Sequence, residues 1–353
     1  MRENNIPNKI LFLSLSGIGN LIMQLPAIEA TKNKYPKAHI TIWVAPRGTK
    51  AIAQNHSAID SVIQAPLKQS IIRQLLFIMK LRQQKFDLAI MLSPGQLWKG
   101  SAYLTLAGIP NRIGHAYPHL GKQQSSFLLN KTTPELNKVH DTVQNLNLIK
   151  VIDNTLENVN PQYNLSLSEK TITQADALIS KLGIDSSKRI IGMHAGTARG
   201  FEGKRWPLNR FVILAKKLIT FHHAFILIYG GPEENKMKKQ ILMNVGKNNA
   251  SIISADLLTT AATIKHCLLF ISNDSGLMHL SAAVGTKTFG LFGPTDEILT
   301  GPQGTDSHVI RAPHTEAVYS TEANYDLGNT THSSLLNLTP QMVFDVITKH
   351  LNA

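Results

Sequence analysis

Apolar positions along the chain fall into two alternating patterns. Short, nearly continuous runs such as "KILFLSL" and "AFILIYGG" read as buried strands, while stretches such as "QSIIRQLLFIMKLRQQ" carry apolar residues at helical spacing. The first half predicts strands at "KILFLSL", "HITIWVA", "IDSVIQA", "FDLAIML" and "NRIGHA", with helices near 20–33, 48–55, 69–84, 97–107 and 136–150. Residues 151–167 lose periodicity and gather Asn and Pro, which marks a linker. The alternation then restarts with a helix near 169–182, "KRIIGMHAG", a helix over 208–221, "AFILIYGG" and "ENKMKKQILMNV". It continues through "ASIISA", "TTAATIKH", "LLFISND", "SGLMHLSAAVG" and "TKTFGLFG". Residues 313–335 read as irregular, and "LTPQMVFDVITKHL" as a closing helix with Thr339 as N-cap and Pro340 at its first position. Strands alternating with helices imply parallel βαβ units. The expected fold is therefore α/β: two Rossmann-like, doubly wound parallel-sheet domains facing a central cleft, over 1–165 and 166–335, followed by a C-terminal helix in 336–353.

Composition narrows this picture little. A chain of 353 residues, 43% hydrophobic and 17% charged, suits two globular domains. The single cysteine, Cys267 in "KHCLLFIS", excludes an internal disulfide framework and a Cys-rich metal site, and reads as a small core residue in a buried strand. Residues 10–28 carry no charge and approach membrane-spanning length, but Ser14, Ser16, Gly17, Gly19, Asn20, Gln24 and Pro26 fit strand, loop and helix better than a lipid-facing span. With no convincing cleavage site either, a cytoplasmic chain is expected.

Charge is more informative. The net charge of +13 and pI near 9.7 favour anionic partners, phosphate-bearing ones among them. The basic residues are spread along the chain without an RNA-binding signature, an aromatic-interleaved basic block or a zinc finger, so nucleic acid is not an expected partner.

In an open parallel sheet, ligands bind beyond the carboxyl ends of the strands. Four loops there carry unusual residues. In "SGIGN", Gly17 and Gly19 allow a tight turn and close approach of a ligand at a helix start, with Ser16 and Asn20 beside them; without a third glycine it is not a dinucleotide fingerprint, and two glycines that merely let strand and helix pack are the alternative. "GMHAGTARGFEGKRWPLNRF" joins His194, Gly196, Thr197, Arg199, Lys204 and Arg205 after a strand, which suits a diphosphate clamp; a solvated basic loop is the plainer reading. "IYGGPEENK" puts Glu233 and Glu234 in a helix's first turn, to hold ribose hydroxyls or only to complement the helix dipole. "ISNDSGLMHL" sets Asp274, Ser275 and Gly276 at a helix start, with His279 one turn on; Asp274 as a simple N-cap is the alternative there. No cluster has metal-ligand spacing and no GxSxG or Walker loop occurs, so anion handling without metal or cofactor is expected.

"HAGTARGFEGKRWPLNRF" and "NDSGLMHLSAAVGTKTFGLFGPTD" resemble the C-terminal half of family-nine glycosyltransferases, the bacterial heptosyltransferases of lipopolysaccharide core assembly, and the opening "KILFLSLSGIGNLIMQLPAIEATKNKYPKAHITIWVAPRG" is similar to their N-terminal half. The resemblance implies a GT-B fold with the acceptor on the first domain, the nucleotide-sugar on the second, and a last helix crossing back to the first. It implies inverting, metal-independent transfer of heptose from ADP-heptose to an anionic glycolipid at the inner face of the inner membrane. By position, Thr197 and Lys204 fall where the family contacts the donor's phosphates and Glu234 (or Glu233) where ribose is held. Asp274, Ser275, Gly276 and His279 match its Asp-Thr-Gly-Leu-x-His motif with Ser for Thr. One departure is chemical: after the second glycine the family often has an Asp, taken as general base, and this chain has Asn20, with Met23 where some members have His. Either Asn20 positions the acceptor while water or another group (Asp87, His115 or His140) takes the proton, or the chain binds donor with impaired catalysis. A GT-B enzyme of another reaction, such as an epimerase, is the third reading.

Overall fold

Among the described residues of the computed structural model all strand pairings are parallel, and they build two six-stranded sheets. The residues described are 6–44, 48–64, 70–93, 98–117, 126–152, 163–317 and 329–352. The first sheet comprises β1 (Lys9–Ser14), β2 (His39–Val44), β3 (Ser61–Gln64), β4 (Leu88–Met91), β5 (Asn111–Ala116) and β6 (Lys131–Pro134), in the order β3-β2-β1-β4-β5-β6. Its helices are α1 (Ile18–Lys34), α2 (Thr49–Gln54), α3 (Ile71–Gln84), α4 (Trp98–Leu106) and α5 (Asp141–Lys150). After α6 (Glu169–Lys181), the second sheet repeats the plan with β7 (Arg189–His194), β8 (Ala224–Ile228), β9 (Ala250–Ile252), β10 (Leu269–Asn273), β11 (Thr288–Phe292) and β12 (Ser307–Arg311), in the order β12-β11-β10-β7-β8-β9. Between them run α7 (Leu208–His222), α8 (Asn235–Val245), α9 (Leu257–Ile264), α10 (Gly276–Ala283) and α11 (Glu297–Thr300), and α12 (Pro340–Asn352) ends the described chain.

Both orders are the doubly wound 3-2-1-4-5-6 arrangement, whose direction reverses between β1 and β4 and between β7 and β10. The central strands are buried on both faces: Ile10, Leu11, Phe12, Leu269, Phe270 and Ile271 are shielded from water. The two edge strands missing from the sequence prediction lack that signal. β6 is "KTTP", alternately half-buried and exposed, with a proline tolerated because its outer side has no strand to pair with.

The chain divides into two compact units, Met1–Tyr163 and Asn164–Ala353. Residues 10–28 form β1, the glycine loop and the first part of α1, and no helix among the described residues is long and apolar enough to cross a membrane. Cys267 lies in the turn before β10 and not in a strand; burial pushes its thiol up to about 12. Thr339 does cap α12, its hydroxyl accepting from the Met342 N–H at 3.2 Å. That helix was expected to cross back to the first domain, yet its apolar face, with Val343 and Ile347 fully buried, belongs to the core of the second unit. Trp206 ties it there by donating from Nε1 to the Leu338 carbonyl at 2.7 Å. Residues 153–162 of the expected linker and 318–328 of the irregular segment lie outside the described residues.

Candidate active site

At the switch point of the second sheet, β7 ends on His194 and β10 on Asn273. Asn273 staples the loops that follow: its Nδ2 donates to the Ala195 carbonyl at 2.8 Å, and its Oδ1 accepts from the Trp206 N–H at 3.0 Å. The clamp segment 195–206 is thereby folded across the end of β10. His194 is buried between three strand ends. Its Nδ1 lies 3.0 Å from Ser275 Oγ and 3.2 Å from Ser272 Oγ, and its Nε2 lies 3.2 Å from Glu234 Oε2.

Glu233 and Glu234 lie in the first helical turn after β8, as the sequence suggested; that turn is a single 3₁₀ turn, Pro232–Glu234, running directly into α8. Glu234 faces inward, accepting from the Gly231 N–H at 2.8 Å, while Glu233 is exposed. Burial pushes its carboxyl upward, but the hydrogen bond and charge of His194, the Gly231 N–H and Arg205 outweigh it and hold the group below the ordinary glutamate value. Its stabilisation is therefore present above that ordinary value and is lost as pH falls through the lower folded one. Lys238, buried on α8, fixes the same loop by donating to the Gly230 carbonyl at 2.8 Å.

Lys204 Nζ pairs with Asp274 Oδ2 at 2.7 Å, and the same oxygen accepts from Thr295 Oγ1 at 2.8 Å. The ammonium also lies 5.3 Å from the Phe201 ring centre. Asp274 is thus no N-cap. The N-cap of α10 is Ser275, whose hydroxyl turns to His194 and Ser272 and makes no cap bond, so the N–H groups from Gly276 onward have no side-chain cap. His279 is buried one turn further on. Thr197, expected on a donor phosphate, spends its hydroxyl inside the loop: it donates to the Phe201 carbonyl and accepts from Arg205 Nε, both at 3.0 Å. Arg205, next in sequence to Lys204, turns its guanidinium to Thr197 and to Glu202 at 3.6 Å, while Arg199 faces solvent.

Gly196 is obligatory for a steric reason. A Cβ there would lie 1.5 Å from Glu234 Oε1, which His194 Nε2 holds at 3.3 Å, in a carboxylate whose other oxygen accepts from the Gly231 N–H. Gly196→Ala is therefore expected to displace that carboxylate and cost about 1–3 kcal/mol of stability, the scale of a lost buried hydrogen bond. Urea denaturation checks this; an unchanged midpoint would mean that the loop yields freely.

The first sheet's switch point is also polar. Gly17 is the N-cap of α1, with Gly19 and Asn20 half-buried in its first turn, where no acidic residue occurs. Gln24, one turn beyond Asn20 on the same face, donates to the Ser93 carbonyl just past β4 at 2.8 Å. Asn145 of α5 accepts from the Ser93 N–H at 2.8 Å, and the Tyr117 hydroxyl lies 3.2 Å from Ser93 Oγ. The buried Ser14 Oγ, Ser16 Oγ and Gln24 Oε1 have no partner among the described residues, as befits a ligand- or water-facing mouth.

Of the alternative bases, Asp87 is misplaced. It precedes β4 and accepts from the Asn8 and Lys9 N–H groups at 2.8 and 2.9 Å, at the sheet's amino edge, opposite Asn20. His140 and His115 lie at the carboxyl end. His140 caps α5 by accepting from the Thr142 N–H at 3.1 Å, and His115 Nε2 lies 3.2 Å from the Gln144 carbonyl. Burial holds the His115 imidazole below its ordinary value, hence neutral near pH 7. Gln24, Ser93, Tyr117, Asn145, Asn273 and Lys238 were not singled out from sequence; the visible sign was polar residues inside apolar helices, as in "IMQLP".

Comparison with known proteins bears on both units. The family model described as glycosyltransferase family 9 (heptosyltransferase) matches residues 75–329. The chain is 26% identical over 355 residues to lipopolysaccharide heptosyltransferase 2 of Escherichia coli (strain K12), covering 96% of this chain and 97% of that one. Among solved structures, the family 9 glycosyl transferase from Veillonella parvula DSM 2008 aligns with a TM-score of 0.80 at 20% identity, over 98% of each chain. An E. coli heptosyltransferase solved with ADP aligns at 0.71 and 21%, over 97% of this chain and 99% of that one. These structures share the two-sheet GT-B architecture. Since the family model spans most of the chain, from α3 to beyond the second switch point, the chain belongs to glycosyltransferase family 9, the heptosyltransferases.

Proposed function

We propose that this glycosyltransferase moves heptose from ADP-heptose to a sugar hydroxyl of a lipopolysaccharide-core acceptor, with inversion and without a metal ion. The reading rests chiefly on the Lys204–Asp274 pair beside the open N-terminus of α10. The acceptor oxygen forms a bond to the anomeric carbon as the bond from that carbon to the diphosphate breaks on the opposite face. Negative charge then develops on the departing ADP, and Lys204, Arg205 and the α10 N–H groups are the cationic and dipolar groups suited to receive it. Glu234, ionised and inward-facing, suits ribose hydroxyls. On the first unit, Asn20 orients the acceptor hydroxyl, and its proton passes to water or to His140 or His115. The name of the E. coli relative and the ADP bound to the other support this choice of donor and acceptor. A cytoplasmic enzyme at the inner face of the inner membrane fits an anionic glycolipid acceptor and a chain of net charge +13.

The test is ADP release from ADP-heptose with lipid A–core acceptors, in the presence and absence of EDTA. Release that needs the acceptor, ignores the chelator and yields the inverted anomer is the expected result. Loss of release in EDTA would remove the metal-free step. Tight donor binding without turnover on any acceptor would favour the impaired, donor-binding reading that Asn20 also permits.

A further inference from the structure

A surface helix ordinarily shows water its polar side. α3 does not. Its core face is formed by Phe77, Ile78 and Leu81, which pack around Trp43. Yet Ile71, Ile72, Leu75, Leu76 and Met79 are also exposed, by 53 to 75% of their surface. At positions i, i+1, i+4, i+5 and i+8 these five form one continuous stripe turned away from the core. Arg73 and Lys80, seven residues apart, run along one border, and Arg82 lies near its C-terminal end. Nothing acidic occurs anywhere in α3. The neighbouring α4 is linked to α3 by the Tyr103–Gln74 hydrogen bond and exposes Trp98 and Lys99 in its own first turn.

Topology gives this patch a direction. α3 and α4 follow β3 and β4, so both helices begin at the carboxyl end of the first sheet and run back along it. Ile71, Ile72 and Trp98 are therefore at the same end of the unit as the Ser16–Asn20 loop.

We propose that the outer face of α3, with Trp98, docks on an anionic lipid bilayer, laying the stripe into the interface while Arg73, Lys80, Arg82 and Lys99 meet lipid phosphates. An apolar stripe on a helix whose only charged residues are Arg73, Lys80 and Arg82 is complementary to such a surface, and long basic side chains reach outward from a buried stem. A protein partner of ordinary mixed charge would meet these cations with no acidic residue on the helix to pair with its own. Docking in this orientation brings the acceptor end of the first unit to the membrane, a consequence that rests on the reading of the acceptor as a glycolipid.

Flotation of the full chain with vesicles of phosphatidylglycerol and phosphatidylcholine in equal parts, against phosphatidylcholine alone, tests the proposal without substrate. The chain should partition to the anionic vesicles at least about tenfold better, and Leu75→Glu with Met79→Glu, or Arg73→Glu with Lys80→Glu, should each lower that partition about tenfold or more. Trp43 and Trp206 are buried, so a blue shift of tryptophan emission on binding should come from Trp98 and vanish in Trp98→Phe. All these side chains are exposed, so the variants should keep the melting temperature and ADP affinity of the parent. Equal binding to both vesicle types, or anionic binding untouched by either pair of substitutions, would overturn the proposal. So would a dimer of the parent chain in light scattering that Leu75→Glu dissociates, because the stripe would then be covered by a second copy. A failed transferase assay leaves these readouts unaffected, so the two proposals fail separately.

Discussion

Lys204→Ala is expected to lower kcat/KM for the nucleotide-sugar by about 10²–10³-fold, the usual consequence of removing one preorganised group aimed at developing negative charge. Two effects act together. The ammonium that would receive the departing diphosphate is gone, and Asp274, only 6% exposed, keeps a carboxylate whose remaining partner is the Thr295 hydroxyl. An uncompensated buried charge is costly in itself, and here it would also face the incoming phosphates. The double variant Lys204→Ala with Asp274→Asn should therefore bind ADP better than Lys204→Ala alone, and calorimetric titration of the parent, both single variants and the double variant reads the resulting non-additivity. If Lys204→Ala left ADP affinity and turnover unchanged, Lys204 would be a structural partner of Asp274 and the diphosphate would be held elsewhere. Strict additivity of the two substitutions would show that Asp274 does not oppose the phosphates.

The same pair shows how far the sequence was legible. Continuous apolar runs identified the central strands, because a strand covered on both faces must be apolar throughout, and the strand–helix alternation then fixed parallel pairing. Loops after parallel strands share one end of the sheet, so His194, Lys204, Glu234, Asp274 and Ser275 could be expected together before any contact was known. Their partners could not. That Thr197 would turn its hydroxyl to Phe201 and Arg205, and that Asp274 would meet Lys204 instead of capping α10, depends on how the clamp folds over β10. Asn273 decides that fold, and nothing in "ISNDSG" marks its amide as the staple. Likewise "KTTP" and "SHVIR" were invisible as strands, since an edge strand borrows its conformation from a neighbour instead of from its own apolar pattern.

Asn20→Asp is expected to raise kcat about tenfold or more, with donor KM unchanged. A positioned general base contributes about 10²–10⁴-fold, and the parent retains whatever part of that water, His140 or His115 supplies. The position can carry the charge: it lies in the first turn of α1, where no acidic residue now offsets the positive helix end, and a carboxylate there gains about 0.3–1 kcal/mol. The variant should therefore melt no lower than its parent. The helix end also depresses the new carboxyl's pKa, so the gain should persist through neutral pH and fade only as pH drops through that lowered value. Donor contacts are assigned to the second unit, which is why KM for ADP-heptose should not move. A kcat that stays level or falls would mean that the proton never leaves by this loop. Asn20→Ala then becomes decisive, because an asparagine that only orients the acceptor should reveal itself as a raised acceptor KM with little change in the shape of the pH profile.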